Sequence, residues 1–186
     1  MRKENREEYV IVLDYLPHGY PFDDTPGYKK TPIIQCLGEM HLTLLEAVPK
    51  KKAIIKTRDK IYIGEGKRER VHHINGRLSP DKLTTSAKAE LDYVLTKFVT
   101  EKEEKYVEFF NKAPPLTTRM HTLELLPGLG KKHMWEIIEQ RRDEKFKSFE
   151  DIKKRVKLLP DPKKIVVKRI KSELLGKEKY NLFVRK

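Results

Sequence analysis

The 186-residue sequence lacks the features that mark secreted, membrane-spanning or cysteine-based metal proteins. Its one cysteine, Cys36, excludes an internal disulfide and a cysteine-ligated zinc or iron–sulfur site. No apolar run approaches the roughly 20 residues that a membrane-spanning helix needs, and the charged first residues contain no apolar signal core. These absences predict a soluble, intracellular protein in the cytoplasm. The length and apolar content of the chain are sufficient to bury a core.

Recognisable catalytic motifs are missing as well. The sequence contains no Walker loop, dinucleotide fingerprint or Ser-His-Asp order, and its six histidines show no spacing typical of a zinc enzyme. Asp23 and Asp24 form a paired carboxylate in a loop, but a metal-dependent nuclease needs further acidic ligands that converge on such a pair. We therefore predict no enzymatic activity, no catalytic residue, no metal site and no cofactor.

Positive charge is present in excess. The 41 Lys and Arg residues against 28 Asp and Glu residues give a formal net charge of +13. Residues 1–110 hold 20 basic and 18 acidic side chains, whereas residues 111–186 hold 21 and 10. This asymmetry predicts a polyanionic partner for the second part. Charge alone leaves open a lysine-rich solvated surface, as in heat-adapted proteins. A membrane surface is not favoured, because the one Trp lies inside a globular-looking repeat.

Short strands joined by turns are predicted over residues 1–78. The apolar run Tyr9–Leu16 is rich in branched and aromatic residues, and the Pro- and Gly-rich stretch Pro17–Gly27 predicts a loop. Gly38 predicts a bulge or bend. Further strand segments are predicted at 31–38, 41–48, 53–56, 60–63 and 70–74. Four to six such strands favour a small, closed or partly closed barrel of the OB type.

The hydrophobic period changes after Ser79. Apolar residues from Leu91 to Val99 recur at helical spacing, and aromatic residues at 106, 109 and 110 continue the stripe. The pattern predicts one long helix, or two, over residues 79–113, ended by Pro114-Pro115. Such a stripe is typical of a core face.

A Gly-Leu-Gly turn is the most specific motif. The sequence predicts a short helix at 118–126, a tight turn at Gly128-Leu129-Gly130 and a second helix that begins at Lys131. Backbone N–H groups at that helix N-terminus would bind a phosphate, with Lys131 and Lys132 adding charge-assisted contacts. The alternative is a plain helical hairpin whose lysines are solvated.

A degenerate second copy of the turn follows 33 residues later, from Pro127 to Pro160. It has lost both glycines, and Pro162 has no N–H to offer. This copy either binds phosphate through Lys163 and Lys164 or has a structural role only.

Residues 118–174 resemble the tandem helix-hairpin-helix domain. Its turn motif reads apolar-x-x-apolar-x-Gly-apolar-Gly-x-x-x-small, and Met134 stands where the small residue is expected. The matching positions are Leu123, Leu126, Gly128, Leu129 and Gly130. In that family the hairpins bind the nucleic-acid backbone without reading sequence. The whole chain resembles an uncharacterised archaeal family of predicted nucleic-acid-binding proteins that pairs an OB-type barrel with such a domain, which implies a binding role and no known reaction.

The predicted fold is therefore α+β. A small OB-like β-barrel at residues 1–78 precedes a connecting helix or helices at 79–113 and an all-α tandem helix-hairpin-helix domain at 114–186. The predicted function is non-enzymatic binding of nucleic acid through its phosphate backbone, with little sequence specificity and with RNA favoured over DNA. The predicted nucleic-acid-binding residues are Gly128, Leu129, Gly130, Lys131, Lys132, Lys163, Lys164, Lys67, Arg68 and Arg70.

Two other functions stay open. One is an enzyme that acts on nucleic acid, of the nuclease or base-excision type, with Asp143 as a conceivable acidic residue. The other is a protein–protein adaptor in a ribonucleoprotein or replication complex.

The basic segment 67–70, followed by His72 and His73, predicts either a basic edge of the barrel that holds a single strand or a solvated loop, and the solvated loop is favoured for the two histidines. His72 and His73 are adjacent on a strand, where side chains face opposite sides, so they are not expected to share a metal. Four aromatic residues of the first long loop would either stack on bases or staple the loop to the core, and stapling is favoured. They are Tyr15, Tyr20, Phe22 and Tyr28.

Overall fold

The computed structural model of the chain describes residues 6–21, 26, 28 and 30–185. Within these residues five strands precede five α-helices, which confirms the α+β class. The strands are β1 (Tyr9–Leu16), β2 (Ile33–Gly38), β3 (Leu44–Pro49), β4 (Lys60–Tyr62) and β5 (Val71–Arg77). The helices are α1 (Thr85–Glu101), α2 (Glu103–Lys112), α3 (Lys131–Asp143), α4 (Phe149–Arg155) and α5 (Pro162–Leu174).

The chain divides into two compact units. One consists of Met1–Val94 together with Ser172–Lys186, and the other of Leu95–Lys171. The second unit carries 20 basic and 12 acidic residues, so its net charge is strongly positive. No helix of the described residues is long and apolar enough to cross a membrane.

The five strands form one curled antiparallel sheet in the order β4-β1-β2-β3-β5. The predicted strand at 53–56 is wrong, because this segment pairs with no strand and instead sends Ile55 into the core beneath the sheet. The inner face of the sheet is built by alternation, with Val10 and Val12 of β1 facing Ile34 and Cys36 of β2. Burial raises the pKa of the Cys36 thiol, with a smaller contribution from the charge of Glu7.

The outer face of β2 is also covered. Gln35 is fully buried there, its amide Nε2 donates to the carbonyl of Lys82 (2.7 Å), and its Oε1 accepts from the N–H of Thr84 (3.0 Å). The hydroxyl of Tyr20 donates to Glu46 Oε2 (2.6 Å) on β3. Burial and the bond to Glu46 raise the pKa of Tyr20 to about 12. Tyr20 therefore staples its loop to the sheet, as the sequence favoured.

Glu7 organises the turn between β2 and β3. Its side chain is buried (5% exposed) and its carboxylate accepts from the backbone N–H groups of Met40 (2.8 Å), His41 (2.9 Å) and Thr43 (3.2 Å). A Cβ placed on Gly38 would lie 2.1 Å from the Glu7 carboxyl group. Gly38 is thus required because a carboxylate, not a chain bend alone, occupies the space beside it.

The helical unit is held by polar contacts at helix ends around an apolar core. The Asn111 side chain of α2 donates to the carbonyl of Phe146 (2.9 Å) and accepts from its N–H (2.8 Å). The Glu103 carboxylate accepts from the N–H of Phe149 (2.7 Å) at the start of α4. These bonds fix the loop between α3 and α4 against α2.

The predicted helix at 118–126 is wrong in extent. Only Thr122–Leu125 is helical, as a 3₁₀ turn, and residues 116–121 form a turn in which Leu116 and Thr117 donate to the carbonyl of Met120. The helix begins late because His121 caps it: His121 Nδ1 accepts from the N–H of Leu123 (3.1 Å). Leu123 and Leu126 are buried, as their place in the motif requires.

Candidate nucleic-acid interface

The first glycine turn presents an open helix N-terminus. Gly128 has φ +83°, a region that side chains rarely adopt, and Leu129 is buried (6% exposed). Gly130 is the residue that precedes α3, and no side chain caps the helix there. The first N–H groups of α3 have no partner in their own helix. An anion at this end would meet backbone donors and the positive end of the helix dipole.

The flanking side chains add charge and an aromatic ring. Lys131 and Lys132 are exposed and make no ion pair with the other described residues. Trp135 follows one helical turn later and is 58% exposed. Met134, which departs from the expected small residue, is buried in the core (4% exposed). The expectation that the tryptophan is enclosed within the repeat is wrong, because Trp135 faces solvent. Helical spacing alone does not say which stripe of a short helix is covered.

The second turn repeats the first at different residues from those expected. Leu158 has φ +60° and Leu159 is buried (7% exposed), as Gly128 and Leu129 are in the first copy. The structural period is therefore the 30 residues from Gly128 to Leu158, and the alignment of Pro127 with Pro160 is wrong. Pro160 is an extra residue before the helix, and the left-handed position is hidden in the sequence because leucine occupies it.

The two turns differ in what they offer an anion. At α5 the Asp161 side chain caps the helix, since its Oδ1 accepts from the N–H of Lys164 (3.1 Å). Pro162 supplies no donor. One backbone donor of this end is therefore taken by the Asp161 carboxylate and another is absent, so the end offers an anion less than the start of α3 does. Its remaining cations are the side chains of Lys163, which is half-buried, and Lys164, which is exposed.

The two turns lie side by side. A Cβ on Gly128 would lie 3.6 Å from Pro160 Cγ, and the N–H of Lys157 donates to Glu136 Oε1 of α3 (2.7 Å). We call the resulting face the hairpin surface. It consists of Gly128, Gly130, Lys131, Lys132, Trp135, Lys157, Leu158, Lys163 and Lys164.

Several arginines of the helical unit face inward instead. Arg141 donates to the carbonyls of Phe110 (3.0 Å) and Ala113 (3.1 Å). Arg169 is buried (3% exposed) and donates to the carbonyl of Leu125 (2.7 Å). These guanidinium groups bind helix ends, so the surface charge comes mainly from lysines.

The cap that His121 forms on the 3₁₀ turn Thr122–Leu125 depends on pH. Burial, and then the charge of Arg141, lower the pKa of His121. The neutral imidazole is the form whose Nδ1 accepts the capping hydrogen bond. In return, Glu124 Oε1 accepts from the backbone N–H of His121 (2.8 Å). A histidine whose folded-state pKa is lowered gives stability that is present above the unfolded-state pKa, about 6.5. That stability is lost as pH falls through the folded-state pKa.

Thermal unfolding should therefore depend on pH through His121. We expect the midpoint to fall between about pH 7.5 and 5 more steeply in the native chain than in His121→Asn. Asparagine also caps helices but does not titrate in this range. Equal pH dependence in the two proteins would show that His121 does not sense protons here.

The predicted basic edge of the barrel lies on the loop from β4 to β5. Arg70 pairs with Asp59 Oδ2 (2.7 Å) and donates to the carbonyl of Lys60 (2.7 Å), and Arg68 Nε donates to the carbonyl of Gly64 (3.0 Å). Lys67 is exposed and makes no ion pair with other described residues. Arg70 thus connects the two edge strands of the sheet, and Lys67 is the cation that points to solvent.

An open cleft of about 740 Å³ adjoins this loop. Three arginines and a histidine line it (Arg6, Arg68, His73 and Arg77), together with carboxylates that include Glu65. Arg6 pairs with Glu65 (3.3 Å). Because cations and carboxylates are mixed here, the cleft has no clear preference for an anion.

The prediction that His72 and His73 face opposite sides is wrong. Their Nδ1 atoms lie 2.7 Å apart, and both side chains are exposed. The strand is bulged at this point, because Val71 and His73 pair with the consecutive residues Pro49 and Val48, which leaves His72 as the extra residue. A bulge breaks the alternation of side chains. The described residues contain no group of three or more His, Cys, Asp or Glu that could hold a metal ion.

The remaining candidates are scattered. Asp23, Asp24 and Phe22 lie outside the described residues. Asp143 is the exposed last residue of α3. Tyr15 packs against the barrel core, whereas Tyr28 is 84% exposed.

Comparison with known proteins places the chain among archaeal relatives. It matches, over residues 6–185, the family described as Protein of unknown function (DUF655). It is 46% identical over 181 residues to the uncharacterised protein MJ0038 of Methanocaldococcus jannaschii, which covers 96% of this chain and 80% of that protein. The crystal structure of Af1531 from Archaeoglobus fulgidus is similar, with a TM-score of 0.86, 46% identity and coverage of 96% of this chain and 100% of that one. The chain therefore belongs to the DUF655 family of proteins of unknown function.

Proposed function

We propose that this protein binds nucleic acid, with RNA favoured over DNA, by gripping the phosphate backbone with little sequence specificity and without catalysing a reaction. The observation that carries the proposal is the hairpin surface. An uncapped helix N-terminus at Gly130 is followed directly by two exposed lysines, Lys131 and Lys132, and lies beside a second basic turn. Backbone donors and lysines bind phosphate without reading bases, so sequence preference should be slight.

The turn geometry supports a tandem helix-hairpin-helix assignment for the helical unit. Each copy has a residue at positive φ, then a buried leucine, then a helix. The first element of the first copy is a 3₁₀ turn instead of an α-helix. An anion would contact the turn and the start of the following helix, and the first copy has both of these elements.

The strand order supports an OB-type assignment for the barrel unit. In the order β4-β1-β2-β3-β5, β4 and β5 are the two edge strands, which a closed barrel would bring together. Arg70, which precedes β5, contacts Asp59 and Lys60 at the start of β4. The β2–β3 face that such barrels use for ligands is covered here by the chain itself, at Gln35. We therefore assign any barrel contact with a single strand to the β4–β5 loop at Lys67, Arg68 and Arg70.

The test is a fluorescence titration that uses the natural reporter. Trp135 is the single tryptophan and lies on the hairpin surface, so binding should change its emission without any label. Single- and double-stranded DNA and RNA oligomers would each be titrated at several salt concentrations. If the five lysines of the hairpin surface neutralise five phosphates of a duplex, log K should fall with log salt at a slope of about −4.5.

Two results would contradict the proposal. One is the absence of binding to all four oligomers at low salt. The other is a salt-insensitive complex that contains no nucleic acid, which would favour a protein–protein adaptor. Turnover of labelled oligomers by the clean protein with Mg²⁺ or Mn²⁺ would instead replace the non-enzymatic assignment with a nuclease or base-excision activity.

A further inference from the structure

Leu158 combines two unfavourable properties. Its φ of +60° lies in the left-handed region, which is disfavoured for a leucine, and its side chain is 87% exposed. Glycine would relieve the backbone strain and remove the exposed apolar surface. Strain that persists at one exposed position is a reason to look for a function there.

The fold does not use the Leu158 side chain. The next residue, Leu159, is the one that is buried and anchors the turn. In the first copy the equivalent position is Gly128, so the turn can be built without a side chain. The structure therefore gives no stability reason for leucine at 158.

The surroundings of Leu158 identify the kind of partner. Lys157 precedes it, and Pro160 brings its turn against Gly128. Gly128 is two residues before Gly130, which stands at the uncapped start of α3. The side chain is an apolar tip within the cationic hairpin surface. A protein partner would need a larger apolar patch than the two exposed apolar side chains of this surface, Leu158 and Trp135. Proteins that bind the minor groove insert single apolar side chains between base steps while cations hold the backbone.

We propose that Leu158 is an apolar wedge that inserts against a base step of the nucleic acid held by the hairpin surface. The proposal rests on the proposed function and adds a contact to bases. Because the wedge carries no charge, it contributes to affinity equally at every salt concentration, whereas the lysines set the salt dependence. Local unstacking of the bases is the structural consequence.

Leu158→Gly is the decisive variant. Its melting temperature should not fall, since glycine accepts φ +60°. Its affinity for a short duplex should be about tenfold lower at every salt concentration, the loss expected when an apolar side chain of this size is no longer buried. The slope of log K against log salt should be unchanged. Leu158→Met, which keeps the apolar side chain, is the matched control and should bind within about twofold of the native chain.

Base unstacking gives a second readout. In a series of duplexes that each carry one 2-aminopurine, placed at successive positions, the fluorescence of one duplex should rise when the native protein binds. No duplex of the series should brighten with Leu158→Gly. Native affinity of Leu158→Gly, together with the same 2-aminopurine brightening that the native protein causes, would overturn the wedge while leaving the proposed function intact. Absence of binding by the native chain would overturn both.

Discussion

Replacing Gly130 with Asp should lower the affinity for nucleic acid about a hundredfold and leave the fold at least as stable. A Cβ on Gly130 would meet nothing within 4 Å, and its φ of −89° and ψ of 173° suit a residue that caps a helix. Aspartate is a better cap than glycine, because its carboxylate accepts from the first N–H groups of the helix. Those are the donors assigned to phosphate, so stability and affinity should change in opposite directions.

The expected magnitude follows from the bonds that are lost. A hydrogen bond to a charged group contributes about 1.5–3 kcal/mol, and about 2.7 kcal/mol corresponds to a hundredfold change in affinity. The added carboxylate also repels phosphate. The chain already contains this arrangement at α5, where Asp161 caps the helix. Gly130→Asp would make the first turn resemble the second.

Two further variants separate charge from shape. Gly130→Ser caps the helix without a charge and should lose less affinity than Gly130→Asp. Asp161→Asn keeps a good cap but removes a negative charge beside Lys163 and Lys164, so it should bind at least as tightly as the native chain. Affinity of Gly130→Asp equal to that of the native protein would remove the α3 N-terminus from the interface.

Sequence reasoning identified the elements whose local pattern and tertiary role agree. The continuous apolar run in Tyr9–Leu16 forms a strand that buries side chains on both faces, at Val10–Leu13. The helical stripe after Ser79 buries the face that its spacing indicates. The Gly-Leu-Gly turn was found because glycine is the residue that positive φ favours. The second turn was placed wrongly for the same reason, since Leu158 adopts that conformation with a side chain that does not favour it.

Other features depend on contacts distant in sequence, which no local pattern records. Ala53–Lys56 has strand-like residues but no partner strand. Arg70 was expected to face a ligand, yet its guanidinium pairs with Asp59 across the sheet edge. The bulge at His72 depends on its register with β3. In each case the missing information is which other segment lies opposite.

Glu7 also makes contacts with residues distant in sequence, and the loss of its side chain should have the largest effect on the stability of the fold. Glu7→Ala removes the acceptor of three backbone N–H groups in the turn after β2. We expect the free energy of unfolding of the barrel unit to fall by about 3 kcal/mol, the upper end for bonds to a charged group. Urea unfolding followed by circular dichroism, with hydrogen exchange at the amides of Met40 and His41, would measure it. The exposed neighbour Glu8, changed to Ala, is the control.

Gly38→Ala should cost about as much as Glu7→Ala, and by the same route. Its Cβ would lie 2.1 Å from the Glu7 carboxyl group, so the carboxylate must leave the turn. In the Glu7→Ala background that obstacle is absent, and Gly38→Ala should then cost less than about 1 kcal/mol, as expected when two residues act on one contact. Additive losses in the double variant would mean that Gly38 is required for its backbone rather than for the space that Glu7 occupies.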